Sequence, residues 1–171
     1  MAHFVEHVLF KGTRKRKPFH ILSRMEDVGG EINAYTTKEE TCIYASFLKG
    51  NYPRAMELVG DILMHSTFPQ KEIDREKEVI IDEINSYKDI PGEMIFDEFE
   101  ELIFPDHPIG RNILGTEASL RSFTRESVKT FMSQKYHTDQ MILCSVGNIR
   151  FNLLKRYFER FFSMIPVNAR N

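Results

Sequence analysis

Apolar residues in the first part of the chain recur at helical spacing and then begin to alternate with polar ones. The stretch from His3 to Phe10 is mostly apolar and breaks at Lys11-Gly12-Thr13, which predicts a short helix and its end. From Glu31 to Leu48 the alternation of apolar and polar residues, around a polar turn at residues 38–40, predicts a β-hairpin. Between these two regions a second helix, ended by Gly29-Gly30, is predicted from Phe19, Leu22, Met25 and Val28.

The remainder of the chain is mainly helical in pattern. A helix beginning near Pro53 is predicted to place Met56, Val59 and Leu63 on one face. The other predicted elements are helices over residues 69–88, 92–103, 118–123, 125–135 and 152–162, and a strand over 141–146. The strands are few and do not alternate regularly with helices. This order predicts an α+β fold, with a mixed, largely antiparallel sheet and helices packed on one side.

Composition indicates one soluble globular domain spanning residues 1–171, with 42% hydrophobic and 28% charged residues. The 23 basic and 25 acidic residues give a net charge of −2, which argues against a nucleic-acid partner. No apolar run reaches the roughly 18 residues that a membrane span requires. Cys42 and Cys144 lie in apolar, strand-like runs and are predicted to be buried free thiols. The compartment therefore stays open between cytoplasm and periplasm.

The predicted first helix carries a pattern suited to metal chemistry, His3-Phe4-Val5-Glu6-His7. Residues four apart lie on one helix face, so His3 and His7 can bind one metal ion. Glu6 lies beside them and can accept a proton from a metal-activated water. This H-x-x-E-H order is the inverse of the common H-E-x-x-H. The motif alone leaves a second interpretation open, in which the two histidines lie on the surface and bind nothing.

Two glutamates on the predicted helix over residues 69–88 have an unusual position. Glu76 and Glu83 are seven residues apart and fall on one line, inside the arc predicted to be buried between Tyr87 and Val79. A buried charge is costly without a partner. A metal ion is one possible partner, and a buried Arg or Lys is the other. A third protein ligand from this helix would complete a catalytic zinc site, which has three protein ligands and one open position.

The sequence from His3 to Thr13, HFVEHVLFKGT, resembles the signature of the pitrilysin-type zinc peptidases, the family of insulin-degrading enzyme and the mitochondrial processing peptidases. In that family the third ligand is a glutamate 76 positions after the second histidine, and this position is Glu83. The similarity extends over nearly the whole chain. It continues through residues 30–36, 107–110, 114–116 and 136–147.

The resemblance implies a role for eight residues. It implies Zn²⁺ ligation by His3, His7 and Glu83, general-base catalysis by Glu6, and orientation of a ligand by Glu76. It also implies that an extended peptide or unfolded protein substrate adds as a strand to the sheet edge. The residues implied at that edge are Asn33, Ala34 and Tyr35.

Two departures from the family pattern concern what the chain lacks. Family domains begin with strands ahead of the histidine motif, and the family enzymes need a second homologous half, in the same chain or in a partner subunit. Neither is seen here, so the chain is expected to be a half-domain without its N-terminal strands and its second half. Alone it is expected to bind zinc weakly and to show little or no proteolysis.

Three functions stay open on the sequence. The first is the metal-binding half of a zinc endopeptidase. The second is a non-catalytic partner or scaffold half, against which the intact H-x-x-E-H motif and Glu83 argue. The third is a structural zinc module, which would prefer four protein ligands and would leave Glu6 without a task.

Overall fold

Residues 1–170, the part of the chain that this computed structural model describes, form eight α-helices and one β-hairpin. The α+β class is confirmed, with a sheet of two antiparallel strands within the described residues. The helices are α1 (Ala2–Leu9), α2 (Pro18–Glu26), α3 (Tyr52–His65), α4 (Gln70–Lys88), α5 (Pro91–Ile103), α6 (Glu117–Ser122), α7 (Arg125–Lys135) and α8 (Phe151–Phe162). The strands are β1 (Glu31–Thr36) and β2 (Thr41–Ser46).

Local sequence signals explain where several helices begin. Pro18 and Pro91 are the first residues of α2 and α5, a position where the missing N–H of proline costs no hydrogen bond. The hydroxyl groups of Thr116 and Thr124 accept hydrogen bonds from backbone amides in the first turns of α6 and α7, and both helices have a complete capping box. The predicted helices therefore agree with the observed ones to within one or two residues.

The hairpin pairs β1 with β2 in antiparallel register, from Glu31 opposite Ser46 to Thr36 opposite Thr41. The turn is closed by a hydrogen bond of 2.8 Å from the amide of Thr37 to the carbonyl of Glu40. The predicted hairpin is therefore confirmed. Its strands pack against α1, and β1 also packs against α2.

The helix that carries the histidine motif, α1, lies in the centre of the hydrophobic core. Its apolar residues Phe4, Val5, Val8 and Leu9 are at most 1% exposed. On the other side of the core, α4 presents its buried isoleucines to α1, so the two helices face each other. Burial of a single such side chain contributes about 1.5–3 kcal/mol. The core therefore fixes the position of α1 relative to α4.

The apolar faces that the sequence indicated for α2 and α3 match the buried faces of these helices only in part. In α2, Phe19 is 73% exposed and Ile21 is fully buried, so the helix turns a different face to the core than its spacing predicts. In α3, Ala55, Leu58 and Ile62 carry the buried face with Met56, whereas Val59 and Leu63 are half-buried. The reason is the same in both helices, because two apolar faces compete and tertiary packing selects one.

The strand predicted over residues 141–146 was also wrong, because within the described residues this segment pairs with no strand. A strand requires a neighbour for its backbone hydrogen bonds, and Ile142 and Val146 are 93% and 94% exposed.

The two cysteines are free thiols, as predicted, but neither is fully buried. Cys144 is exposed, and Cys42 in β2 is half-buried. Among the described residues, no helix is both long and apolar enough to cross a bilayer.

Candidate metal centre

One turn of α1 separates His3 from His7, so their imidazole rings lie on the same face of the helix. The ring centroids are 4.7 Å apart, and the ring planes meet at 74°. Both side chains are shielded from solvent, at 10% and 22% exposed. Because α1 is held by the core on its other face, the two rings have little freedom to separate.

The packing of α4 against α1 brings a carboxylate to these rings. Nε2 of His3 and Nε2 of His7 each lie 3.7 Å from Oε2 of Glu83. These separations exceed the upper limit of about 3.2 Å for a good N–H···O hydrogen bond. Two ligands on one tetrahedral zinc ion, at about 2.0–2.1 Å each, are about 3.3 Å apart. One ligand atom from each of the three residues lies within 4.8 Å of the others, so their spacing fits a shared metal ion better than direct pairing.

Glu76, also on α4, contacts the other nitrogen of the His7 ring. Its Oε2 is 3.1 Å from Nδ1 of His7, and its Oε1 is 2.8 Å from Nζ of Lys11. Burial alone would raise the pKa of this carboxyl, but the hydrogen bonds from His7 and Lys11 outweigh it and lower the pKa of Glu76 below its ordinary value. Glu76 is therefore a carboxylate with both oxygens engaged.

The expectation that Glu76 and Glu83 share a buried line was correct for one residue and wrong for the other. Glu76 is 6% exposed, whereas the Glu83 side chain is 44% exposed and the neighbouring Val79 is 48% exposed. The face of α4 that contains both glutamates is buried at Glu76. In the C-terminal half of the helix the same face borders an open cleft, which Glu83 lines. Glu83 therefore faces the cleft and Glu76 faces the protein interior.

Glu6 shares this cleft with His3 and Glu83. Its Oε2 atom is buried and has no hydrogen-bond partner among the described residues. Buried polar atoms without a partner are rare in folded proteins and call for an explanation. A carboxylate oxygen kept free beside three potential metal ligands is suited to accept a proton from a bound water.

His3 differs from His7 in the environment of its second nitrogen. Nδ1 of His3 is buried without a hydrogen-bond partner among the described residues, whereas Nδ1 of His7 meets Glu76. Burial, the neighbouring His7 and the chain's amino group together lower the pKa of His3 to about 4. The His3 imidazole is therefore neutral at pH 7, which is the form that binds a metal ion.

The cleft has a volume of about 530 Å³, and β1 borders it. Of the three residues predicted at the sheet edge, Tyr35 lines the cleft and is 44% exposed. Asn33 and Ala34 precede it on β1, where the amide of Ala34 donates a hydrogen bond of 2.9 Å to Oδ1 of Asn33. Within the described residues β1 pairs only with β2, so its other edge is unpaired.

Two groups of polar contacts around the site did not follow from the sequence pattern. The first is the contact of Lys11 with Glu76, 65 residues apart in the chain. The second lies at the far end of the cleft, where Asp97 of α5 meets Lys38 at 3.0 Å, the Tyr87 hydroxyl at 2.8 Å and the Asn112 amide at 2.8 Å. Hydrophobic periodicity carries no signal for such pairs, because it describes one element at a time.

The sequence profile described as insulinase, peptidase family M16, matches residues 1–117. The match covers more than half of the 171-residue chain, and the chain therefore belongs to this peptidase family. Among its relatives, the β subunit of the mitochondrial-processing peptidase of Saccharomyces cerevisiae is 36% identical over 165 residues. That alignment covers 96% of this chain and 36% of the yeast subunit.

A bacterial relative carries the metal in its name. The uncharacterized zinc protease YmxG of Bacillus subtilis is 36% identical over 155 residues, which cover 91% of this chain and 38% of that protein. The chain thus spans less than half the length of these two relatives. Relatives named as zinc proteases indicate zinc as the metal of the family. Two histidines and one glutamate, the residue types grouped here, form a ligand set that zinc uses in catalytic sites.

The fold is also found among solved structures. A protease from Helicobacter pylori superposes with a TM-score of 0.92, over 99% of this chain and 41% of that one, at 22% sequence identity. This likeness confirms the fold of the described residues.

Proposed function

We propose that this chain is the metal-binding half of a zinc-dependent endopeptidase. In this proposal His3, His7 and Glu83 hold Zn²⁺, and Glu6 is the general base. The observation that carries it is the convergence of one atom from each of the three ligands within 4.8 Å, in a cleft that Glu6 also lines. Membership of the M16 family supports the same assignment.

A zinc ion in this position would polarise a substrate carbonyl and acidify a water molecule. The protein residues supply the rest of the chemistry. Glu6 accepts a proton from the attacking water and returns it to the departing amine as the peptide bond breaks. Its free Oε2 supports this role, because an oxygen already engaged in a hydrogen bond would be a weaker acceptor. Glu76 holds the ring of His7 through Nδ1 and so directs Nε2 towards the metal.

The substrate we propose is an extended peptide or an unfolded segment of a protein. Its backbone would pair with the unpaired edge of β1, at Asn33, Ala34 and Tyr35. The support is positional, because β1 ends at the cleft, where Tyr35 and Thr36 lie beside the ligands. Pairing with a strand recognises the backbone and leaves sequence preference to side-chain pockets.

The proposal includes a second homologous half, supplied by a longer chain or by a partner subunit. The chain covers only 36% and 38% of the two relatives described above, which supports this view. The cleft is open on the side of Glu83, whose side chain is 44% exposed. Because metal-assisted hydrolysis benefits from a site that excludes water, the chain alone is expected to bind zinc and to hydrolyse peptides very slowly.

The test is the zinc content of the purified chain by elemental analysis, in the original sequence and in Glu83→Gln. About one zinc per chain is expected in the former and none in the latter, because a catalytic zinc site has three protein ligands. Glu78→Gln is the matched control, since Glu78 lies on the same helix with its side chain 64% exposed. Absence of zinc from the original chain would overturn the proposal and favour the non-catalytic partner half.

The role of Glu6 is tested separately with Glu6→Gln. Zinc content is expected to stay near one per chain, because Glu6 is not a ligand. In the complete protein, kcat for a peptide substrate is expected to fall by about 10²–10⁴-fold, the usual contribution of a general base. Loss of zinc from this variant would instead place Glu6 among the ligands.

A further inference from the structure

The buried carboxylate of Glu76 is held from two sides, by His7 and by Lys11. Nζ of Lys11 lies 2.8 Å from Oε1, and Nδ1 of His7 lies 3.1 Å from Oε2. The Glu76 side chain is 8% exposed and that of Lys11 is 29% exposed, so this is not a solvent-exposed surface pair. Charge-assisted hydrogen bonds in such surroundings are about twice as strong as neutral ones.

Lys11 is itself fixed in position by the segment that follows α1. Its amide donates to the carbonyl of Val8 at 3.2 Å, which continues the last turn of the helix. The next residue, Gly12, accepts a hydrogen bond of 3.0 Å from the amide of Thr67. Gly12 has a φ of +129°, a conformation that glycine adopts at little cost. The backbone therefore aims the Lys11 side chain at Glu76.

We infer that Lys11 is a positioning residue of the metal centre, acting through Glu76. By holding Oε1, the ammonium group keeps Oε2 directed at Nδ1 of His7. An ionised carboxylate only accepts hydrogen bonds, so Nδ1 must carry the proton. The neutral ring then has its lone pair on Nε2, the atom that lies 3.7 Å from Glu83. Lys11 thus selects the tautomer of His7 that can bind a metal ion.

The effect of Lys11 on zinc affinity rests on the proposed function, whereas its effect on the tautomer of His7 does not. Without Lys11, one oxygen of Glu76 loses its partner and the carboxylate can rotate away from His7. The ring is then no longer held in one tautomer, and part of the population carries its proton on Nε2. Changes to residues that orient a metal ligand typically weaken metal affinity by about 10–100-fold. We expect a decrease of about tenfold for Lys11→Met.

The first experiment uses the zinc-free chain and long-range ¹⁵N–¹H NMR correlations, which report the tautomer of each imidazole. The His7 signals are assigned by their loss in His7→Gln. The Nδ1–H tautomer is expected in the original chain and in Lys11→Arg, and a mixture is expected in Lys11→Met. Lys15→Met is the matched control, since it removes the same charge from an exposed position in the same loop. An unchanged His7 tautomer in folded Lys11→Met would overturn the inference.

The second experiment measures zinc affinity by competition with a chelator, in a double-mutant cycle with Glu76→Gln. If Lys11 acts through Glu76, Lys11→Met weakens affinity about tenfold alone and changes nothing further in the Glu76→Gln background. An equal loss in both backgrounds would overturn the inference. If circular dichroism shows Lys11→Met to be unfolded, Lys11→Gln takes its place under the same criteria. Absence of zinc from the original chain would overturn the proposed function, and the NMR result would still decide the role of Lys11.

Discussion

Nδ1 of His7 lies 3.1 Å from Oε2 of Glu76, although 69 residues separate the two in the chain. The contact exists because the isoleucines of α4 and the apolar face of α1 pack into one core. The same packing leaves Nε2 of His7 facing Glu83, seven residues further along α4. One helix therefore supplies both the residue that contacts Nδ1 of the imidazole and the residue that completes the proposed set of ligands.

This arrangement predicts that substitutions of Glu76 and Glu83 have different effects on zinc binding. Glu76→Gln is expected to retain about one zinc per chain but to bind it about 10–100-fold more weakly, because an amide orients His7 less firmly than a carboxylate. The measurement is a chelator competition, with Glu72→Gln as the control in the first turn of the same helix. A loss of zinc as complete as in Glu83→Gln would indicate that Glu76 is itself a ligand.

The core beneath the site gives a second prediction, on α4. Ile80 is fully buried, and the adjacent Val79 is 48% exposed. Ile80→Ala is expected to lower the free energy of unfolding by about 2–5 kcal/mol, since it removes buried methyl groups and leaves a cavity. Val79→Ala is expected to change it by less than about 0.5 kcal/mol, as exposed positions usually do. Urea denaturation of both variants measures the difference, and similar midpoints would contradict the observed orientation of α4.

The elements of the fold could largely be predicted from the sequence, because helical periodicity and end signals are local. Pro91, Thr116 and Thr124 mark helix starts that the structure has within one or two residues of the prediction. The segment over residues 141–146 shows the limit of such reasoning. Its short apolar run is typical of a strand, but a strand also needs a partner for its backbone, and none pairs with it among the described residues.

For the proposed site, too, the sequence predicted the local features but not the contacts between elements. The spacing of His3 and His7 on one helix turn is local, and the line through Glu76 and Glu83 is local to another helix. Tertiary packing brings the histidine face of α1 opposite the glutamate face of α4. At the level of sequence, only the family resemblance indicated this contact between the two helices. The sequence left a lysine or arginine open as the partner of a buried glutamate, but it did not identify Lys11, because a lysine after a helix end is ordinarily solvated.

Asp61 of α3 is a second buried carboxylate that periodicity missed, and it gives a prediction about pH. It is 2% exposed and accepts hydrogen bonds from Thr13 and His65, at 2.8 and 2.9 Å, and from Arg16. Burial opposes ionisation, but these three partners together hold the pKa of Asp61 below its ordinary value of 3.8. Its contribution to stability is therefore complete above pH 3.8 and is lost as the pH falls through the lower, folded-state pKa.

Asp61→Asn is accordingly expected to destabilise the chain by about 3 kcal/mol at pH 7, because it leaves the Arg16 guanidinium without one of its buried partners. The difference between the two proteins should become smaller below pH 4. Urea denaturation at a series of pH values measures it, with Asp74→Asn, at an exposed position of α4, as the control. A difference that stays constant down to pH 2 would show that Asp61 contributes through packing and not through its charge.

The corner between α2 and β1 gives the last prediction, at Gly30. A Cβ atom at this position would lie 2.7 Å from the carbonyl oxygen of Ser46 and 3.1 Å from Cβ of Phe47, so the backbone of β2 would have to move. Gly50 offers a matched control, because a Cβ there would meet nothing within 4 Å. Gly30→Ala is expected to cost about 1–3 kcal/mol, the usual range for overpacking, whereas Gly50→Ala should be nearly neutral. Thermal unfolding of both variants tests this. Equal melting temperatures would mean that the hairpin can shift against α2 without strain.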